Sequence, residues 1–418
     1  MSVHLVDLCE LIVDCEHKTA PTQEVGYPSI RTPNIGRGHL ILENVNRVSE
    51  ETYRLWTQRA VPRAGDLIMA REAPVGNVAI VPPGLNPCLG QRTLLIRPDQ
   101  NRVDGGFLNY YLNGSYVQGL VHAKTNGATV PHLNMKDVRS LSIPDLPPLP
   151  IQRRIAGILS AYDDLIENNQ RRIKILEEMA RRLYREWFVH FRFPGHEDCR
   201  LVESSLGEIP EGWEVRPLSD ICERITDGAH NSPPTVEHGF PMASVKDMHD
   251  WGINLESCRT ISPDDYDSLA RNDCRPRKGD ILIAKDGSYL KHIFVVDREL
   301  EVVILSSIAM LRPNGLVDPG FLSFFLKDPL VKARMRGFVS GVAIPRIVLK
   351  DFRRFDVLLP PLDLQSEWAG LVNPAFSLCH KLIAEIQNLR RTRDLLLPRL
   401  LSGQIDVDSL PEPVPSES

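Results

Sequence analysis

The sequence predicts an α+β protein in which two β-rich globules, in a pseudo-two-fold arrangement, are joined by two long antiparallel coiled-coil helices. Three observations carry that prediction. The two halves of the 418-residue chain repeat one another. Each half begins with short β-branched runs broken by Gly, Pro and Asn. Each half ends in an apolar stripe of helical period, about ten turns long, that opens on a Pro-Pro step.

The repeat is legible residue by residue. Leu5-Val6-Asp7-Leu8-Cys9 returns as Leu218-Ser219-Asp220-Ile221-Cys222, and Asp14-Cys15-Glu16-His17 as Asp227-Gly228-Ala229-His230, placing His230 213 residues after His17. Pro62-Arg63-Ala64-Gly65-Asp66-Leu67-Ile68-Met69-Ala70 matches Pro276-Arg277-Lys278-Gly279-Asp280-Ile281-Leu282-Ile283-Ala284, with Gly279 now 214 after Gly65. Lys136-Asp137-Val138-Arg139 matches Lys350-Asp351-Phe352-Arg353, and Pro147-Pro148-Leu149-Pro150-Ile151-Gln152 matches Pro360-Pro361-Leu362-Asp363-Leu364-Gln365. An offset held within one residue over such a span means two copies of one structural unit.

The copies divide the chain into a first globule over 1–145, a first helical region over 146–192, a polar connector over 193–212, a second globule over 213–357, a second helical region over 358–403 and a disordered tail over 404–418. In the globules, Leu67 to Ala70, Val78 to Val81 and Thr93 to Ile96 read as strands. A short helix follows, capped by Asp104 or Asp318, with Pro319 just inside the second start.

The expected pairing seam of the first long helix is Ile151, Ile155, Ile158, Tyr162, Leu165, Asn169, Ile173 and Leu176. In the second it is Leu364, Trp368, Leu371, Leu378, Leu382, Ile386 and Leu389. Both contain an extra four-residue step, Leu165 to Asn169 to Ile173 and Leu378 to Leu382 to Ile386, which reads as a stutter. Asn169 and Arg393 interrupt the stripe, either to set register or at a solvated seam edge. Pro374 is a potential kink. The plainer alternative is that each stripe buries against its own globule.

Composition narrows the function classes. Hydrophobic and charged fractions of 42% and 25% suit an ordinary globular protein. With no run of about 18 uncharged apolar residues and no signal-peptide pattern at Met1–Leu5, a cytoplasmic location without membrane contact is expected. The eight cysteines include no Cys-x-x-Cys pair, so neither structural zinc nor disulfides are expected. The net charge of −5 does not announce a nucleic-acid binder, so any DNA contact must be local or shared with other subunits.

Pro147–Gln152 running into Ile155-Ala156-Gly157-Ile158-Leu159, its copy at Pro360–Gln365, Leu397-Pro398-Arg399-Leu400-Leu401-Ser402-Gly403, Arg71-Glu72-Ala73-Pro74-Val75-Gly76 and Leu89-Gly90-Gln91-Arg92 occur in one order. In these motifs the chain resembles the specificity subunits of type I restriction-modification enzymes over nearly its whole length. The second half departs from the pattern with Ala284-Lys285-Asp286-Gly287-Ser288. The resemblance implies that the globules are target recognition domains and that the chain reads an asymmetric bipartite target in double-stranded DNA, one half-site per domain. It further implies docking of two adenine methyltransferase subunits and two ATP-driven restriction/translocase subunits. S-adenosylmethionine, ATP and Mg2+ would belong to those partners and no cofactor to this chain.

The residues themselves give little support to catalysis. No Walker loop is present, and Asn231-Ser232-Pro233-Pro234-Thr235 has threonine where an amino-methyltransferase needs an aromatic. Asp280 and Lys285 are residue types a metal-dependent nuclease uses, but their copies Asp66 and Arg71 point to a turn-strand role. A duplicated coiled-coil scaffold without sequence-specific DNA binding is the alternative from another class. For base and phosphate contact, side-chain chemistry nominates His17, Arg31, Asn34, Arg71, Lys124, Asn126, His132 and Asn134 in the first domain. In the second it nominates His230, Lys246, Lys285, Tyr289, Lys291, His292, Ser340 and Arg346.

Overall fold

The computed structural model describes residues 3–125, 131–144, 146–286, 290–337 and 348–407. The chain divides into two compact units, residues 1–170 with 384–418 and residues 171–383. Each long helix, Leu149–Phe188 and Leu362–Leu401, therefore contributes one half to each unit. The helical regions do not form bodies apart from the globules.

In the first unit a four-stranded antiparallel sheet is built from β1 (Cys9–Asp14), β2 (Leu67–Ala70), β3 (Val78–Ile80) and β4 (Thr93–Pro98), in the order β1-β4-β2-β3. Helix α1 (Gly105–Asn113) follows, and the Asp104 carboxylate accepts from Phe107 N at 2.9 Å as its cap. The second unit repeats this with β5 (Cys222–Asp227), β6 (Ile281–Ala284), β7 (Ile293–Val295) and β8 (Ile308–Pro313), in the order β5-β8-β6-β7. Helix α2 (Pro319–Lys327) is capped by Asp318 through Phe321 N, also at 2.9 Å. Even the irregularity is copied: β1 shifts register between Cys9 and Leu11, and β5 between Cys222 and Arg224. In each unit a three-stranded sheet lies beside the larger one, centred on Tyr27–Ile30 or Phe240–Ala243.

The repeated motifs have physical reasons. Asp66 accepts from the backbone N of Arg63 and forms a two-pronged pair with Arg97, at 2.9 and 2.7 Å. Asp280 does the same with Arg277 N and with Arg312, both prongs at 2.7 Å. Both carboxylates are buried. They fasten the turn that Gly65 and Gly279 make at φ +87° and +92°. The glutamine closing each Pro-Pro motif is a clamp: Gln152 donates to Pro147 O and accepts from Asp104 N, and Gln365 donates to Pro360 O and accepts from Asp318 N. It ties the start of each long helix to the cap of the short one.

Within each unit the helix halves run antiparallel. In the first, Asp163 meets Arg393, while Leu400 shares a core with the earlier Ile155 and Leu159. In the second, Tyr184 and Phe188 lie against Trp368, with ring centroids 5.9 and 5.8 Å apart. The earlier Glu177 in that unit lies near the later Cys379. The stripes thus bury against the partner helix and against the globule cores at once.

Two expectations, the stutter and the disordered tail, need correction, and two open points, the connector and Asn169, are decided. The seam contains no stutter. Leu165 and Leu371 are 45% and 58% exposed, and Ile166, Val372 and Cys379 are the buried residues. Steps of three and four then continue unbroken from Gln152 and from Gln365, because at each site two adjacent apolar residues fit an amphipathic pattern equally well. The connector is structured: Leu201–Ser204 and Gly207–Pro210 form a hairpin, and Phe193 and Ile209 join the second unit's core. The start of the tail packs as well, with Val407 buried in the first unit. Finally, Asn169 is buried, and among the described residues its amide nitrogen has no hydrogen-bond partner. The helix bearing Pro374 runs without interruption from Leu362 to Leu401.

Candidate DNA-reading surface

Antiparallel pairing gathers chemistry at one end of each four-stranded sheet. β1 ends at Asp14 opposite Leu94, and Ala70 at the end of β2 lies opposite Thr93. The loops leaving these positions carry His17, Arg71 and Gln91-Arg92, and Gly90 packs on Arg31. His132 pairs with Glu72 in an isolated bridge at the same end. His17, Arg31, Arg71 and His132 are thereby brought together.

Two Asp-His pairs mark corresponding places in the units. His17 Nε2 lies 3.0 Å from Asp14, and His230 Nε2 lies 3.1 Å from Asp227, with the imidazoles 65% and 76% exposed. A cation grips the opposite side of each carboxylate. Arg59 reaches Asp14 and also donates to Cys15 O at 3.0 Å, while Lys285 Nζ is 3.0 Å from Asp227. The aspartate is held, and the histidine it orients faces solvent.

Several nominated residues have other duties. Asn34 is buried: its oxygen accepts from Arg31 N and its amide donates to Ile41 O, so it clamps a loop of its own globule and is not placed to read a base. Lys285 is buried in its ion pair and supports His230 from below. Arg71 donates from Nε to Leu133 O at 2.9 Å, tying the strand end to the loop that carries His132 and Asn134. His292 is bound to Asp250 at 2.8 Å on the far edge of its sheet. Asn134 and Lys246 are exposed, Lys124 is half-buried at the end of a helix, and Lys291 is exposed beside β7. Asn126, Tyr289, Ser340 and Arg346 lie outside the described residues.

Sequence reasoning overlooked Arg59, Gln91 and Arg92. Arg59 lies 45 residues from Asp14 and has no copy in the second half, so no periodic signal marks it. Gln91 donates to His17 O at 3.2 Å, and Arg92, at φ +65°, pairs with Glu72 at 2.9 Å while largely exposed. Both lie in the Leu89–Arg92 motif, which was a usable signal.

Among the described residues no group of three His, Cys, Asp or Glu could hold a metal ion, and no helix is long and apolar enough to cross a membrane. Burial pushes the thiols of Cys9 and Cys222 up to about 12, which removes them as nucleophiles.

Residues 1–178 and 210–388 each match the family model of the type I restriction modification DNA specificity domain. The chain is 26% identical to the type I restriction enzyme MjaIX specificity subunit of Methanocaldococcus jannaschii, covering 87% of this chain and 82% of that one. It is 24% identical to the EcoBI specificity subunit of Escherichia coli, over 76% and 69% of the two chains. The crystal structure of a type I restriction-modification S subunit from M. genitalium shares the fold at a TM-score of 0.58 and 18% identity, over 96% of each chain. With two copies of the domain, each built on the same sheet and long-helix scaffold, the chain belongs to the type I restriction-modification specificity subunits.

Proposed function

We propose that this chain is the non-catalytic, cytoplasmic DNA-reading subunit of a type I restriction-modification complex. It takes an asymmetric bipartite target, one half-site per unit, and directs adenine methylation or restriction by two methyltransferase and two restriction/translocase subunits. S-adenosylmethionine, ATP and Mg2+ act in those partners. The observation that carries the reading is the pair of corresponding sheet ends. Each presents an aspartate-held histidine, yet the side chains around it differ: Arg31, Arg71, Arg92 and His132 in one unit, Lys285 in the other. A feature common to both suits what any two half-sites share, the phosphate backbone, and the differing surroundings suit unlike bases. A scaffold without DNA contact gives the two exposed, braced histidines no task.

Exchange of residues 1–145 for those of a relative tests the reading, by mapping methylated adenines with the assembled complex. One half-site changes and the other stays. Alteration of both, or of neither, contradicts it.

A further inference from the structure

The turn that leads from Cys88-Leu89 into β4 is seated at four consecutive residues. Gly90 N donates to Ile30 O at 2.7 Å, and a Cβ at Gly90 would lie 2.8 Å from that oxygen, so only glycine lets the turn pack this closely. Gln91 donates to His17 O at 3.2 Å, Arg92 O accepts from Arg71 N at 2.8 Å, and Thr93 Oγ1 donates to Gly90 O at 2.8 Å. None of these contacts uses the Arg92 side chain. The backbone they impose on Arg92 is left-handed, at φ +65°, where glycine fits with least strain.

The arginine placed at that corner has a side chain 62% exposed, with Nε 2.9 Å from Glu72 Oε2. An ion pair this exposed adds little to stability. Glu72 is itself fixed. It pairs with His132 in a backbone bridge, and the preceding Arg71 accepts from Leu133 N at 3.0 Å while its Nε donates to Leu133 O at 2.9 Å. An anchored carboxylate thus holds the guanidinium at Nε, the nitrogen that an end-on Nη1/Nη2 fork does not need.

The second unit keeps this backbone and drops the arm. Ser307 stands 215 residues after Arg92, as Arg312 does after Arg97. Its O accepts from Lys285 N at 2.9 Å, as Arg92 O does from Arg71 N. The Ser307 hydroxyl accepts from Val245 N at 3.4 Å, and Asp286, in the place of Glu72, lies 3.6 Å from the buried Lys285 ammonium. The common scaffold therefore needs no arginine here.

Resting on the DNA-reading function proposed above, we infer that Arg92 reads a guanine of the first half-site in the major groove, through Nη1 and Nη2 on O6 and N7, and that Glu72 is the positioning residue that aims it. Pairing with Glu72 cancels much of the charge that attraction to phosphate would use, and it fixes the plane of the fork. Both effects favour a directional contact with a base. A phosphate contact would also be expected in both units, and Ser307 offers no cation.

The test is R92G in the full chain assembled with methyltransferase subunits. Glycine suits φ +65°, so the melting temperature should be no lower than the parent's. Mapping of methylated adenines should show one guanine position of the first half-site become degenerate, its preference over other bases falling by about tenfold or more, with the gap and second half-site retained. Glu72→Gln should weaken the same preference by about threefold without changing the preferred base. In duplexes carrying 7-deazaguanine at that position, which keeps pairing with cytosine but lacks N7, the parent should lose the preference and R92G should lose nothing more. An unchanged first half-site in R92G overturns the inference and leaves the DNA reading standing. A parent complex without bipartite methylation overturns both. Uniform loss over all sequences, as from a phosphate contact, also overturns the inference, as does a lowered melting temperature or a first half-site with no G·C pair.

Discussion

In the first unit, Tyr110 donates to Asp163 at 2.5 Å, and Arg393 of the second long helix closes on the same carboxylate. The corresponding residues of the second unit are Phe324, Phe376 and Ala180, where two phenyl rings stack at 5.4 Å. One backbone arrangement is therefore held by a charged network in one copy and by aromatic packing in the other. The clamps common to both copies, Asp66–Arg97 with Asp280–Arg312 and Gln152 with Gln365, act on turns, caps and helix starts. What fixes the backbone has been kept in duplicate, while the filling between elements has been free to change, because a satisfied polar network and a well-packed apolar one are close in free energy.

That comparison is open to attack in order of effect. The largest loss is expected for Asp66→Ala, about 3–5 kcal/mol, since the largely buried Arg97 is left without a carboxylate; Asp280→Ala should cost somewhat less, because Arg312 keeps Asp273 at 3.3 Å. Denaturant midpoints should fall for both, and tolerance of either would break the equivalence of the units. Asp163→Ala should cost about 1–3 kcal/mol by stranding the Tyr110 hydroxyl and leaving Arg393 with Asp394 as its remaining carboxylate. The triple change Y110F/D163F/R393A should come back to within about 1 kcal/mol of the parent, by copying the second unit's solution. Losses that simply add would show the two fillings are not interchangeable.

Asn169→Leu should stabilise by about 1–2 kcal/mol, because its buried amide lacks a partner and its counterpart is already Leu382. A lower melting temperature would instead give Asn169 a role in helix register. The last test concerns pH. Burial brings the Lys327 ammonium down to about 8 from its ordinary 10.5, so the folded chain binds fewer protons than the unfolded one between those values. Stability contributed by this site rises with pH through that window and is reduced below it. Lys327→Met should flatten that slope, whereas Asn113→Ala in the first unit should leave it unchanged.

Much of the fold was legible because its markers are local. Asp104 and Asp318 announce helix caps, Gly65 and Gly279 a turn, and the repeated Gln152 and Gln365 the start of each long helix. The seam register was not legible. Leu165 beside Ile166, Leu371 beside Val372 and Leu378 beside Cys379 offer two faces of nearly equal hydropathy, and only the surface opposite selects one. At the candidate surface, His17 and His230 could be read from the repeat, but Arg59 could not, since its partner is remote in sequence. Asn34 and Lys285 were misjudged because residue type does not disclose burial.

By itself the sequence determined the duplication, the order of strands and long helices within each copy, and the motifs shared with the family. These depend on spacing, capping and turn chemistry, which act over a few residues. Tertiary structure alone decided which apolar face is buried, which aspartate braces which histidine, and which edge strand Gly38 pairs with. Those outcomes depend on what stands across a gap of a few ångströms from residues distant in the chain, and a linear pattern carries no record of that neighbour.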